Sequence, residues 1–570
     1  MIKIFKLTKL IVFLASIGFI LLLQSCAETE IEKINREFKE FITDYENKVI
    51  PLQEKYKLAD YNAAITGNIE EYNTATELKI MISKIYSNKE NFNQLKRFKE
   101  SNLITEELLV QQLNILYNLY LPNQIDEKLL SELITLDNEI KHKFSTYRPV
   151  INEKDVSVED IESVLRTSNK TEELKKYWEA SKEVGKLVSD DLIKIVKMRN
   201  KAAKALGFKN YYEMELIING QSPEEIDNIF DELDILTRGP YIELKDEIDQ
   251  YLAKKFKISV EELKPWHYQN RFFQKAPLIY DTDFDKYYKN KDFIKLVKTY
   301  FKGIGLDISD VLDKSDFSNK PGKQELAFTT DIDRKGDIRI SGHIKNNMTI
   351  MTTLLYEAGF SSYLKYIDND LPYLLHQPPQ FTANDAVATL FSGFSINPGW
   401  LEKVVGISKA EKDKIIEISF KQLRLEKFVF SRFAQVMYRF EKEFYEDPDQ
   451  DLNLLWWQLV SNFQMLNKPA DRNEPDWATK THITTMPCSY HNYLLGELIA
   501  SQIHTYINEE ILDNDGSCET KCIDNPKVGE FMIEKLFKTG AKYNMQDWIK
   551  NATGDKLSPD YFTKQYIKFQ

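Results

Sequence analysis

Residues 189–207 read SDDLIKIVKMRNKAAKALG and predict a long helix, because apolar residues recur three and four positions apart. Gly207 is expected to end this helix. A second helix is predicted from Ser222-Pro223-Glu224-Glu225, where Ser222 caps, Pro223 enters the first turn and Glu225 stands three residues after the cap. Similar helical patterns with short polar joins run through residues 30–120 and through most of the C-terminal half. These stretches indicate a mostly helical fold.

The composition agrees with long, uninterrupted helices. The chain has 570 residues, of which only 20 are Gly and 18 are Pro, well below the ~12% that these two residues usually make up. Hydrophobic residues account for 42% and charged residues for 29%. That balance excludes a wholly disordered chain and a polytopic membrane protein.

One region predicts β-structure. Ile338, Ile340 and Ile344 alternate with polar residues, and the turn signal Arg334-Lys335-Gly336-Asp337 comes just before them. We therefore expect a hairpin between residues 325–332 and the strand that begins near Ile338. A helix is expected directly afterwards, over residues 349–367.

The net charge of −12 argues against nonspecific nucleic-acid binding, because phosphate would be repelled. The length allows a large core and suggests two or more closely packed lobes. We expect a monomer with no nucleic-acid partner.

The N-terminus predicts a targeting segment. Lys3, Lys6 and Lys9 precede the apolar run LIVFLASIGFILLL at residues 10–23, and the run ends at Leu23-Gln24-Ser25-Cys26. This arrangement resembles a bacterial lipoprotein signal peptide. It implies a signal peptide over residues 1–25, a lipid on Cys26 and a lipid-anchored protein of the bacterial cell envelope. The alternative is a short signal anchor that is never cleaved.

Three further cysteines are present. Cys518 and Cys522 lie in a polar loop, and in an exported protein they are expected to form a local disulfide rather than a zinc site. Cys488 is expected to be a free, partly buried thiol.

No short catalytic motif occurs: the seven His residues include no H-E-x-x-H pair, and neither a nucleophile elbow nor a phosphate-binding loop is found. The densest cluster of ionisable and aromatic side chains is KTHITTMPCSYHNY at residues 480–493. Such a group can bind a carboxylate and stabilise an oxyanion. An ordinary surface loop is the alternative interpretation.

Several stretches together are similar to the angiotensin-converting-enzyme-like (peptidyl-dipeptidase A) peptidases, especially their bacterial members. They span roughly residues 140–510 in order and lie at residues 144–149, 177–216, 263–277, 325–367, 371–375 and 475–502. The resemblance implies a mostly helical ellipsoid with two lobes around a deep central cleft and with a small β-hairpin next to the active-site helix. It also implies three regions: the signal peptide at 1–25, an N-terminal helical region at 26–140 that covers the cleft, and the peptidase-like body at 141–570.

Enzymes of this family hold zinc on an H-E-x-x-H helix and on a Glu of the next helix. The corresponding helix here reads Tyr356-Glu357-Ala358-Gly359-Phe360, so the general-base Glu is kept as Glu357 while both His positions are aromatic. The third ligand position maps onto Asp385. Phenylalanine has no donor atom and a neutral tyrosine is a poor ligand, so the resemblance implies a lost zinc site and no cofactor.

Two alternatives remain for these positions. Tyr356 and Phe360 are also consistent with simple core packing, in which their rings fill the volume of the lost metal and imidazoles. A substitute metal site made from His376, Glu357 and Asp385 is conceivable.

The peptide-binding residues of the family are kept. Lys480 and Tyr490 map onto the residues that bind the C-terminal carboxylate of the substrate, and His482 and Tyr493 onto those that stabilise the tetrahedral intermediate. We therefore expect a lipid-anchored, zinc-free and catalytically impaired relative that binds a peptide or peptide-like ligand in the cleft. The rival hypothesis is an active metallopeptidase with an unrecognised metal site that releases C-terminal dipeptides or cleaves short peptides. A third is an interaction module whose cleft is filled by side chains.

Overall fold

The computed structural model describes residues 28–280, 282–512 and 521–567. The predicted signal peptide at 1–25, Cys26 and Cys518 all lie outside these residues. Cys522 is buried and disulfide-bonded, but its predicted pairing with Cys518 stays a prediction. Cys488 is a buried free thiol.

Long helices form the N-terminal part. They are α1 (Glu30–Thr66), α2 (Ile69–Tyr86), α3 (Lys89–Ser101) and α4 (Glu107–Tyr120). Side chains of α1, α3 and α4 form a hydrophobic cluster of their own, to which Leu374 contributes from a distant part of the chain. The N-terminal helices are therefore attached to the rest of the protein through apolar contact.

Helices also make up most of the remainder. The first group comprises α5 (Glu127–Thr146), α6 (Val158–Thr167), α7 (Thr171–Ala180), α8 (Val184–Ala205), α9 (Tyr211–Ile218) and α10 (Pro223–Phe256). The second comprises α11 (Asp285–Tyr288), α12 (Phe293–Gly303), α13 (Ser309–Lys314), α14 (Met348–Lys365), α15 (Phe381–Ser392), α16 (Pro398–Trp400), α17 (Lys409–Glu446), α18 (Leu452–Leu459), α19 (Thr481–Thr485), α20 (His491–Tyr506), α21 (Pro526–Phe531), α22 (Met545–Thr553) and α23 (Asp560–Tyr566). One continuous hydrophobic core runs through these helices.

Short 3₁₀ turns lie at Leu121–Asn123, Val260–Glu262, Pro265–Tyr268, Gly393–Ile396, Asp476–Thr479 and Gly540–Lys542. Single π-helical turns lie at Leu401–Val405, Val460–Gln464, Ile507–Ile511 and Met532–Phe537.

Two small antiparallel hairpins are present. The predicted one pairs β3 (Phe328–Asp331) with β4 (Ile338–Ser341) and places Ile338 and Ile340 in the core. The other pairs β1 (Val150–Ile151) with β2 (Lys154–Asp155) and was not predicted. Its strands are too short for an alternating pattern, and its turn uses Asn152 and Glu153 at positive φ, which is typical of tight hairpin turns but weakly signalled by these residue types.

The expected helix start at Ser222 and the expected helix end at Gly207 are confirmed, whereas the helix predicted over 189–207 begins earlier, at Val184. The Ser222 side chain accepts from the backbone N–H of Glu225 and caps α10, whose first apolar residues are buried. Gly207 follows the end of α8 with a positive φ of 94°, a conformation that favours glycine. The prediction of a mostly helical fold with a small hairpin is thus correct. Within the described residues, no helix has the length and apolar character required to cross a membrane.

Two glycines bring the central helices close together. A Cβ on Gly359 of α14 would lie 2.7 Å from a ring carbon of Phe391 and 3.1 Å from the Cα of Ala388, both on α15. A Cβ on Gly496 of α20 would lie 2.3 Å from Oδ2 of Asp385. Only glycine permits these approaches, and they place α14, α15 and α20 against one another at the candidate site.

Candidate functional site

Helix α14 carries three of the predicted residues. Asn347 caps this helix by accepting from the backbone N–H of Ile350 at 2.9 Å. Tyr356 and Phe360, four residues apart on one face, are only partly buried, and Glu357 is buried. The two ring centroids are 6.5 Å apart in a stacked arrangement.

Glu357 is 6% exposed and accepts a hydrogen bond from the Thr329 hydroxyl at 2.6 Å. Thr329 lies on β3, so the predicted hairpin supports this carboxyl group directly. Burial raises the pKa of Glu357 to about 7, and the bond from Thr329 opposes that rise only in part. The carboxyl group can therefore gain or lose a proton near neutral pH.

Tyr356 donates a hydrogen bond from its hydroxyl to Oδ1 of Asp385 on α15. Asp385 is 2% exposed, and burial raises its pKa to about 7 despite this bond. Glu497 raises the pKa of Asp385 further and Lys427 lowers it, but Lys427 is itself bound to Glu497 at 2.5 Å. The structure thus brings two of the three predicted ligand positions into direct contact with each other.

These residues do not fit a zinc ion. Phe360 offers no donor atom, and the hydroxyl proton of Tyr356 is held by Asp385 in a buried pair that raises the pKa of Tyr356. Within residues 28–280, 282–512 and 521–567, no three His, Cys, Asp or Glu side chains are grouped so that they could hold a metal ion.

The substitute metal site proposed from His376, Glu357 and Asp385 is accordingly wrong. His376 lies in the loop between α14 and α15 and is 6% exposed, with neither ring nitrogen hydrogen-bonded. Burial lowers its pKa. It does not join the two carboxyl groups in a three-ligand group.

Lys480 is a buried cation with aromatic neighbours. It is 5% exposed and donates to the side-chain oxygen of Gln274. Its Nζ lies 4.9 Å from the ring centroid of Phe433 and 5.0 Å from that of Tyr490. Burial lowers the pKa of Lys480 to about 7. No carboxylate of the described chain forms an ion pair with it.

His482, Tyr490 and Tyr493 lie together beside Lys480. The ring centroid of His482 is 4.9 Å from that of Tyr490 and 5.8 Å from that of Tyr493, and the two tyrosine rings are 5.5 Å apart. Burial and the charge of Lys480 lower the pKa of His482 to about 4, so its ring is neutral at neutral pH. Its Nδ1 is buried without a hydrogen-bond partner. The sequence-predicted cluster is therefore a real spatial cluster.

Tyr493 also connects this cluster to the zinc-ligand positions. Its ring centroid lies 6.4 Å from that of Phe381, and Phe381 lies 6.2 Å from Phe360. Burial raises the pKa of Tyr493, and the charge of Asp385 raises it further. All the predicted catalytic and substrate-binding residues thus belong to one continuous site.

Three residues of this site were not predicted: Gln274, Thr329 and Phe381. Gln274 lies within the similar stretch at 263–277, and its backbone N–H is fixed by the Asn270 side chain at 3.1 Å. Nothing in the sequence marks a single glutamine as a partner of Lys480. Thr329 could have been found, because it lies on the strand expected to pack beside the helix of Glu357.

The comparisons agree with this architecture. The family model described as angiotensin-converting enzyme, of the M2 peptidases, matches residues 32–239 and 274–566. The chain therefore belongs to the angiotensin-converting-enzyme family of peptidases. A search of curated proteins gives no match.

Proposed function

We propose that this protein binds short peptides by their C-terminal carboxylate and does not hydrolyse them by the zinc-dependent route of its family. The supporting observation is Lys480, a buried ammonium group that binds a neutral amide and has no carboxylate partner within the described chain. A buried cation without a counter-ion is costly. A ligand carboxylate at this position would supply the missing charge.

The neighbours of Lys480 suit the same ligand. The side-chain oxygen of Gln274 accepts from Lys480, which leaves the amide N–H₂ group of Gln274 to donate to a carboxylate oxygen. Tyr490, whose ring centroid lies 5.0 Å from Lys480 Nζ, carries a hydroxyl that can act as a second donor. His482 as a neutral ring and Tyr493 as a phenol can donate to a peptide carbonyl further along the ligand.

Hydrolysis is not supported by the residues present. The donor set at Tyr356, Phe360 and Asp385 does not fit zinc. Burial raises the pKa of Glu357 to about 7, which suits a proton acceptor, but a general base alone lacks the Lewis acid and the activated water that the family uses.

A peptide titration tests this function. A tripeptide with a free C-terminal carboxylate is expected to bind at least about tenfold more tightly than its C-terminal amide, because a charge-assisted hydrogen bond is lost in the amide. Lys480→Met should abolish that preference. The matched control is Lys427→Met, which removes a partly buried lysine that is already bound to Glu497 and should leave the preference unchanged. Equal binding of acid and amide by the wild-type protein would contradict the proposal.

We also propose that the protein is lipid-anchored in the bacterial cell envelope through Cys26. The apolar run at 10–23 and the Leu-x-Ser-Cys ending support this. Expression of Cys26→Ser is expected to release the protein from the membrane fraction or to leave the signal peptide uncut. Unchanged fractionation together with unchanged N-terminal processing would contradict it.

A further inference from the structure

Four aromatic rings remain partly accessible where the family carries its metal. They belong to Tyr356, Phe360, Phe381 and Tyr493, here called the aromatic patch. Consecutive ring centroids are 6.5, 6.2 and 6.4 Å apart. Phe381 is 53% exposed. The rings therefore do not close into a fully buried core, as simple core packing would require, but line an accessible surface.

Two buried carboxyl groups are neighbours of Tyr356 in this patch. Glu357 directly follows Tyr356, and Asp385 accepts the hydroxyl of Tyr356. Within the described residues, neither carboxyl group forms an ion pair with a Lys or Arg side chain. The electron-rich faces of aromatic rings attract cations, and nearby carboxylates strengthen that attraction.

We propose that the aromatic patch binds an organic cation, an ammonium or guanidinium group, on the same ligand whose carboxylate lies at Lys480. This inference rests on the proposed peptide binding and adds the charge pattern of the ligand. The family holds a divalent metal with imidazoles and carboxylates. This chain keeps the carboxyl groups but has the phenol ring of Tyr356 and the phenyl ring of Phe360 in place of the two imidazoles. That exchange suits an organic cation, which can lie against aromatic rings, better than a metal ion, which needs donor atoms.

The spacing of the rings limits the length of the ligand. Lys480 Nζ is 5.0 Å from the Tyr490 ring, which is 5.5 Å from the Tyr493 ring at the edge of the aromatic patch. An extended peptide advances about 3.3–3.6 Å per residue. The cationic group is therefore expected near the third residue from the C-terminus, either as a Lys or Arg side chain or as the α-ammonium of a tripeptide.

Calorimetric titration of four peptides tests both charges independently. Acetyl-Lys-Ala-Ala and acetyl-norleucine-Ala-Ala are each used as free acid and as amide. Lysine is expected to bind about 2- to 30-fold more tightly than norleucine in both forms, whereas the acid–amide difference reports only on the proposed function. Comparison of Gly-Ala-Ala with its acetylated form shows whether an α-ammonium serves as well as a side chain.

Variants locate the cation site. Phe381→Leu and Glu357→Gln should each reduce the preference for lysine over norleucine. Tyr72→Leu, which changes another half-exposed aromatic ring, and Glu77→Gln, which removes an exposed carboxylate on α2, control for these two changes. Phe381 and Tyr72 are both exposed, so neither substitution to leucine is expected to unfold the protein, and the two variants can be compared directly.

Binding of a small cation tests the aromatic patch without any peptide. Tetramethylammonium should give a saturation-transfer NMR signal that Phe381→Leu weakens, and uncharged neopentyl alcohol should give a weaker one. Equal or tighter binding of norleucine than of lysine would overturn the inference and identify a site for apolar side chains. If none of the peptides binds, the proposed function fails, and the absence of a tetramethylammonium signal would then overturn the cation site as well.

Discussion

Binding of a peptide carboxylate should change the protonation state of the Lys480 amine. Its pKa is lowered to about 7 in the free protein by burial, and an arriving carboxylate raises the pKa again. Peptide binding at pH 8 should therefore take up about one proton, and binding at pH 6 almost none, because the amine is already protonated there. Calorimetry in two buffers of different ionisation enthalpy measures this uptake. No buffer dependence at pH 8 would contradict the assignment of Lys480.

Glu357 predicts a pH-dependent stability. In the unfolded chain its pKa is near 4.5, and in the folded protein it is about 7. Between these pH values the folded protein keeps a proton on Glu357 that the unfolded chain has released. The contribution of this residue to the free energy of unfolding is therefore fully present below pH 4.5 and is lost as the pH rises through 7.

Glu357→Gln removes this dependence while retaining an acceptor for Thr329. The variant should gain stability relative to wild type between pH 5 and pH 8, by an amount on the order of 3 kcal/mol at most. Differential scanning fluorimetry at both pH values measures the change in melting temperature, with Glu77→Gln as an exposed control. A difference that does not grow with pH would contradict the raised pKa.

At the scale of elements, the contact between α15 and α20 depends on Gly496. In Gly496→Ala the new methyl group would meet Oδ2 of Asp385 at 2.3 Å, so this carboxyl group must move away from its present position. We expect a loss of about 1–3 kcal/mol of stability. Gly393→Ala, at the end of α15 with nothing within 4 Å of the new Cβ, should be neutral or stabilising. Equal melting temperatures for both variants would argue against the close packing at Asp385.

Helix α14 also allows the lost metal site to be rebuilt. Tyr356→His combined with Phe360→His places two imidazoles four residues apart on one helical face, and Asp385→Glu lengthens the third side chain. We expect the triple variant to bind zinc, with weak activity, because new imidazoles without partners that orient them typically lose ~10–100-fold in affinity. Calorimetric zinc titration of folded variant and wild type compares them directly. A folded variant that binds no more zinc than wild type would show that the mapped positions are wrong.

Many of the helix and strand boundaries could be predicted from the sequence. The cap at Ser222 and the alternation around Ile338 depend on neighbouring residues, so local patterns predicted them. The contact between Tyr356 and Asp385 joins residues on different helices, and the resemblance brought them together only as ligand positions. The bond from Lys480 to Gln274 spans some two hundred positions and has no local signal, which explains why Gln274 was missed.

At the scale of the whole molecule, Leu374 joins the N-terminal helices to the loop between α14 and α15. It is 2% exposed and belongs to the hydrophobic cluster of α1, α3 and α4. Leu374→Ala should cost about 2–5 kcal/mol and increase hydrogen exchange in those helices more than in α17. Leu371→Ala, three residues earlier and packed against the main core, is the comparison. Equal exchange changes in both variants would contradict the special role of Leu374.

We propose that this member of the family keeps the carboxylate-binding half of the site and has lost the zinc-dependent half. A peptide titration repeated with a chelator and with added zinc, followed by mass spectrometry of the recovered peptide, tests both halves. Affinity for a free-acid tripeptide should be unchanged by either addition, and the peptide should be recovered intact. Binding that requires zinc, or chelator-sensitive cleavage of the peptide, would contradict it.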